Sequence, residues 1–309
     1  VKKVTLEHTD ILIKYPSIDY FIEKLENNNP YYFLRFNHGI IDSFVDGYDN
    51  YDILIEKAKQ KQFNLIADTI YDGYKNSQWG FNHYNLNSES TIDKINSFVK
   101  IFFETNSYIP NLEMGISTGV GMGYVFGTYA PDFPIQVNRN NVIKKITKLT
   151  NTEYFHSGIF RHFSVMGDMI RFFNSVNELN YNIIVIGPNY LRLLKEKYNI
   201  SKFTMISTPT KGAADFLDNY IDDIQNVLKL HSKNLLLTSV GTIGSCYIAE
   251  KLRNTNLIGI DIGRSLDWDL REYQSKEPTM PKGDCWISPA GRGDVSQIYK
   301  NYINSLRNG

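Results

Sequence analysis

At 309 residues the chain is long enough for one large α/β domain or two small ones, and either buries a substantial core. Its 33 basic and 33 acidic residues give a formal charge of zero, which argues against the electrostatic footprint of a nucleic-acid binder. No run approaches the roughly 18 apolar residues of a membrane span, and the two cysteines, Cys246 and Cys285, have no CxxC companion, so neither a zinc knuckle nor a disulfide framework is indicated.

The start, VKKVTLEHTDILIKY, has no signal-peptide pattern. It begins with Val rather than Met, which leaves flanking sequence open. With Cys246 expected as a buried thiol, the expected compartment is reducing and cytoplasmic.

Helical spacing runs from Ile18 to Leu25 and stops at NNNP. YYFLRFNHGIIDSF then reads as a strand entering a turn at Asn37-His38-Gly39. Single helices are predicted over 53–75 and 91–105, a short strand over Leu112–Ile116, and a glycine-rich loop, STGVGMGYVFGTYAPDF, after it. That loop is not read as a dinucleotide fingerprint, because no amphipathic helix follows it. Helices follow over Val142–Leu149 and, after GIFRHF, over VMGDMIRFFNSVNEL.

From there strand and helix alternate: NIIVIG, PNYLRLLKEKY, KFTMIS, AADFLDNYIDDIQNVLKL, NLLLTSV, a helix over Cys246, LIGIDI. Four strands separated by helices imply a parallel sheet with crossover helices. The expected class is therefore α/β, a Rossmann-like, mostly parallel sheet with flanking helices and a helical N-terminal portion. We expect a single domain over 1–273, helical over about 1–150 and β-α-β over about 151–273. Residues 274–309, rich in Pro, Gly and charge, form a wrap with a short helix, IYKNYINSL.

Leu235 to Asp269 is one β-α-β unit whose glycine-bearing turn presents helical amides to an anion. The same turn also serves simple close packing, and it is neither GxGxxG nor a P-loop. In an open parallel sheet, ligands collect at the carboxyl ends of strands. That rule selects Gly187-Pro188-Asn189, Thr208-Pro209-Thr210-Lys211, Ser239 to Gly244 (with Gly241, Thr242 and Ile243) and Asp261-Ile262-Gly263-Arg264. Lys211 or Arg264 suits phosphate charge, Thr242 a phosphate oxygen, and Asp261 ribose hydroxyls.

The order of these segments resembles the GT-D fold glycosyltransferases, a bacterial group first known as a domain of unknown function. Its members transfer a sugar from a nucleotide-sugar donor. The likeness rests on Arg35-Phe36-Asn37-His38-Gly39-Ile40 in place of an R-F-G-D-G-E motif, on YFHSGIFRHF with Arg161, on IIVIGPNY, on Pro209 to Phe216 in place of P-S-x-N-A-F, and on Gly241-Thr242-Ile243-Gly244 with Asp261-Ile262-Gly263-Arg264. It spans about residues 20 to 273.

The resemblance implies a nucleotide-diphosphate sugar donor, with uracil guessed because such donors are common, and a glycan or other hydroxyl acceptor. It also implies a Mn²⁺ or Mg²⁺ ion held by an Asp-x-Glu pair, but those positions here are His38 and Ile40, and isoleucine cannot ligate. Three readings follow: a metal-independent enzyme in which Arg35, Arg161, Lys211 or Arg264 supplies the charge; a ligand from Asp42 or Asp46; or lost catalysis. His38 is a candidate base, with Asp267 and Asp269 as alternatives, and Trp268 between them a candidate platform for an acceptor sugar. A silent nucleotide-sugar or glycan binder and an NAD-linked oxidoreductase remain the rival functions.

Overall fold

The computed structural model describes residues 1–6, 9–36, 41, 44–45, 50–76, 89–104, 107–117, 134–150, 152–209, 213–273, 275–277, 280 and 295–308. His38, Ile40, Asp42, Asp46, Lys211, Cys285 and the STGVGMG loop beyond Ser117 lie outside them.

Nine strands form one sheet: β1 (Lys2–Thr5), β2 (Leu12–Tyr15), β3 (Tyr31–Phe36), β4 (Leu112–Ile116), β5 (Phe155–His156), β6 (Asn182–Pro188), β7 (Phe203–Thr208), β8 (Asn234–Thr238) and β9 (Ile258–Asp261), in the order β1-β2-β5-β4-β3-β9-β8-β6-β7. Only β1 and β2 pair antiparallel; every other pairing is parallel. β3 is buried at every position, as are β8 and β9. That explains their unbroken apolar runs, since helices cover both faces of a parallel sheet. The expected α/β class is what the chain adopts, and the main core runs from Val4 to Met280 without interruption between the two halves.

β3 and β4 come from the N-terminal half, yet β3 pairs directly with β9 (Phe33 opposite Ile260). The connection leaving β6 runs outward to β7 and the one leaving β8 runs inward to β9. Connections that diverge in this way open a crevice at the carboxyl ends of the strands.

Several local expectations change. The stretch 53–75 is two helices, Tyr51–Lys59 and Phe63–Asn76, because Lys61 takes a left-handed φ of 55° and ends the first. GIFRHF, expected to precede a helix, instead opens one: Gly158 is the N-cap of Ile159–Met166. That helix ends at Gly167 with φ 84°, and Met169–Glu178 starts a new one. Glycine adopts this conformation without steric penalty. PNYLRLLKEKY is mostly a 3₁₀ turn, Asn189–Leu193, followed by one helical turn, Leu194–Lys197. The segments read as strands at β3, β4, β6, β7, β8 and β9 are strands; β1, β2 and β5 were not anticipated.

The C-terminal helix, Val295–Asn308, packs through Tyr299 and Ile303 on Val165 and Trp268, a cluster separate from the main core. Arg307 pairs with Asp168, and Lys2 donates to the Leu306 carbonyl at 3.0 Å.

Candidate functional site

Arg35 stands at the carboxyl end of β3, where the neighbouring strand β9 ends in Asp261. Its guanidinium donates from Nη1 to Ser265 Oγ at 3.1 Å and from Nη2 to Asp261 Oδ1 at 3.4 Å. Both partners are buried, with side-chain exposures of 9% and 1%. A charge in such surroundings is tolerated only when paired. Arg35 Nε and Asp261 Oδ2 have no hydrogen-bond partner, so this pair is not fully satisfied.

The turn after β9 is shaped around that pair. Gly263 N donates to Asp261 Oδ1 at 3.0 Å and to the Thr238 carbonyl at 3.1 Å, and Ile262 N donates to the same carbonyl at 3.0 Å. Gly263 has φ 44°, and the guanidinium of Arg35 fills the place a Cβ would need. Arg264 then turns back, its Nε donating to Asp267 Oδ2 at 2.8 Å, while Tyr190 OH donates to Asp267 Oδ1 at 2.8 Å.

Arg161 joins this group from the helix Ile159–Met166. Desolvation pushes its pKa down to about 10, with Arg35 and Arg264 acting in the same direction and Tyr299 and Asp267 opposing them. Three guanidinium groups, Arg35, Arg161 and Arg264, thus share one field with the carboxylates of Asp261 and Asp267. Next to them the helix Gly241–Leu252 begins with no side-chain cap and no acidic residue in its first turn. Cationic groups converging on an uncapped helix N-terminus suit an anionic ligand.

Other expected residues have different surroundings. Thr242 donates its hydroxyl proton to the Arg35 carbonyl at 2.8 Å and is buried, so it ties the helix to β3 and cannot also donate to a phosphate oxygen. Ile243 is in the core, and a Cβ on Gly244 would meet Val240 Cγ2 at 2.9 Å; both serve packing. Gly187 lets β6 approach Ser239, whose Cβ would lie 2.8 Å from an added Cβ. Ser239 N donates to the Ile186 carbonyl at 2.8 Å, while Gly241 is exposed at the helix start. Pro209 is exposed at the end of the edge strand β7. That is four strands from β3, or about 19 Å at the usual strand spacing, so it lies apart from the arginines.

Trp268, expected as a platform for an acceptor sugar, is 8% exposed, packs with Val165, Tyr299 and Ile303, and carries the Arg271 guanidinium over its ring at 4.3 Å. That is core packing and a cation–π contact, not an open sugar platform. Asp267, 2% exposed with both oxygens hydrogen-bonded, is built to hold its neighbours. Asp269, two residues on, faces elsewhere: burial raises its pKa to about 6, and Ser164, Tyr198, Lys197 and Arg271 pull it back.

The sequence gives no sign of Tyr190 and Ser265, which hold the site together, or of a buried histidine pair formed between β5 and the helix Ile159–Met166. His156 and His162 stand with ring centroids 4.7 Å apart, and His162 Nδ1 is 2.8 Å from Tyr15 OH. Both histidines lie in the segment YFHSGIFRHF, on either side of the helix start at Gly158.

No family model matches the chain, and no curated protein matches it. Among solved structures it is similar to a selenomethionine-substituted structure of domain of unknown function 1792. The TM-score is 0.51 at 14% sequence identity, covering 87% of this chain and 84% of that one. At that identity the likeness is one of fold.

Proposed function

We propose that the chain is a glycosyltransferase whose donor diphosphate is bound by Arg35, Arg161 and Arg264 at the carboxyl ends of β3 and β9. The observation that carries this reading is the convergence of three guanidinium groups from distant segments beside the start of the helix Gly241–Leu252. Likeness of fold to the domain above, together with the motif order from Arg35 to Arg264, supports a sugar-transfer chemistry over other uses of such a sheet.

In the transfer, an acceptor hydroxyl oxygen bonds to the anomeric carbon as the bond to the diphosphate oxygen breaks. The leaving group gathers negative charge, and preorganised guanidinium groups stabilise it without reorganisation. The acceptor proton passes to a base, for which His38 remains the candidate; Asp267 is better suited to positioning. The nucleoside extends toward the crevice between β8 and β6, past Ser239 and Gly187.

Of the carboxylates described at the crevice, Asp267 has both oxygens engaged and Asp261 has Oδ1 engaged, leaving Asp261 Oδ2 without a hydrogen-bond partner. Asp261 faces Arg35 and the Gly263 amide, and Asp267 faces Arg264 and Tyr190. Among the described residues no three of His, Cys, Asp and Glu cluster as a metal site. His38, Ile40, Asp42 and Asp46 lie outside the described residues, and in this reading charge stabilisation falls to the arginines. No helix among the described residues is long and apolar enough to cross a membrane; we propose a cytoplasmic site of action and a glycan or glycosylated acceptor.

The test is thermal stabilisation by UDP, GDP, CMP and NAD, each with and without Mn²⁺. A ligand at 100 times its Kd adds about 2.7 kcal/mol of stability, an easily read shift. Stabilisation by a nucleoside diphosphate without metal is expected. Stabilisation by NAD alone overturns the reading, and binding without turnover of any donor leaves a silent binder.

A further inference from the structure

We infer that Tyr190 is a positioning residue for the anion site, acting on Arg264 through Asp267; this rests on the reading of the arginine crevice as a diphosphate site. Tyr190 lies in the 3₁₀ turn directly after β6 and is 1% exposed. Its hydroxyl donates to Asp267 Oδ1 at 2.8 Å, and Asp267 Oδ2 accepts from Arg264 Nε at 2.8 Å. Exposure rises along this series, from 1% for Tyr190 and 2% for Asp267 to a side chain that is 39% exposed at Arg264. It is a rod of polar contacts running from the core to the surface.

The physical consequence follows from the geometry of each group. A carboxylate free to rotate about its last bond offers its second oxygen in many directions. A phenol bonded to Oδ1 removes that freedom, so Oδ2 points one way. Bonding of Oδ2 to Nε then fixes the plane of the guanidinium, because that nitrogen is part of the planar fork. A free arginine side chain has rotamer entropy that an anion would otherwise have to overcome on binding. The chain Tyr190, Asp267, Arg264 removes that requirement beforehand. It also couples two strand ends, since Tyr190 follows β6 and Arg264 follows β9.

Tyr190 touches no ligand in this scheme, so its effect must vanish when Arg264 is removed. The experiment measures the Kd of inorganic pyrophosphate and of UDP by calorimetry for the full chain and for Tyr190→Phe, Arg264→Gln and the double variant, each well below its melting temperature. Tyr190→Phe is expected to weaken both ligands about 5- to 10-fold, the range of one lost hydrogen bond. Arg264→Gln is expected to weaken them further, and the double variant to match Arg264→Gln. Unchanged affinity in Tyr190→Phe, or additive losses in the double variant, overturns the inference and leaves the diphosphate reading standing. A parent chain that binds neither ligand overturns that reading and the inference with it. Should Tyr190→Phe fail to fold, Asp267→Asn enters the same cycle, with the same non-additivity expected.

Discussion

Arg35 and Gly263 interlock across β3 and β9: the guanidinium of one occupies the space that a side chain on the other would require. Residue 263 also has φ 44°, a left-handed conformation that strains any residue with a Cβ. Gly263→Ala therefore combines backbone strain with displacement of a buried charge from Asp261 and Ser265. A loss of at least about 2 kcal/mol in urea unfolding is expected, together with loss of UDP binding. A Gly263→Ala protein as stable as the parent would show that Arg35 has somewhere else to go.

Arg35→Met gives a different result, because it removes the charge and leaves its partner. Asp261 is 1% exposed and would keep only the Gly263 amide as a donor. Breaking a buried pair from one side destabilises by about 3–5 kcal/mol, whereas replacing both members with apolar groups is often close to neutral. Arg35→Met paired with Asp261→Leu should regain most of the stability but not the affinity for UDP. Equal stability losses in the single and double variants would argue against the ion pair as the cause.

How much of this was legible in the sequence depends on what each residue contributes. The strands at β3, β6, β7, β8 and β9 are apolar runs between turn signals, three leucines in β8 and mostly β-branched or aromatic residues in the others. The carboxyl end of β9 pointed to Asp261 and Arg264 without any coordinates, while Arg35 came from the resemblance of its motif. The two-residue strand β5 and the hairpin β1–β2 are too short to show a period. Tyr190 was invisible for another reason: 77 residues separate it from Asp267, and nothing local marks a tyrosine that bonds so far along the chain. Trp268 misled because a tryptophan between two aspartates looks exposed. The C-terminal helix that buries it lies beyond a long segment with no pattern linking the two. Thr242 sits where a phosphate-facing hydroxyl is expected, but its proton goes to the Arg35 carbonyl on β3, a partner 207 residues away that no local pattern shows.

His162 makes the stability of the chain sensitive to acid. Burial, and then the charges of His156, Arg161 and Arg307, hold its pKa well below 6.5. Tyr15, Tyr299 and Tyr302 pack against the ring and bring no carboxylate to it. The unfolded state therefore takes up a proton near pH 6.5 that the folded state refuses. Stability from this group is complete above that pH and falls as pH drops below it, by up to about 1.4 kcal/mol per pH unit. Urea unfolding at pH 7.5 and 5.0 should show a smaller acid loss for His162→Gln than for the parent. An identical acid loss in both would assign the sensitivity elsewhere.

Asp269 contributes with the opposite sign in an overlapping window. Burial raises its folded pKa to about 6 from 3.8, so between those values the folded state holds a proton that the unfolded state has released. The stabilisation is complete below about pH 3.8 and is lost as pH rises through 6. Above that, folding requires a charged carboxylate at a site only 7% exposed, beside Ser164 and Tyr198. Asp269→Asn keeps the shape and removes the charge. It should match the parent near pH 4 and exceed it by about 2–3 kcal/mol at pH 7.5. Because His162 acts in the reverse direction, the quantity to follow is the difference between variant and parent at each pH, not either curve alone. A difference that does not change with pH would mean the carboxyl is ionised throughout. Since Asp269 lies among Lys197, Arg271 and Tyr198 and apart from the three arginines, the same variant should keep its affinity for UDP. Lost affinity at unchanged stability would move Asp269 into the binding crevice.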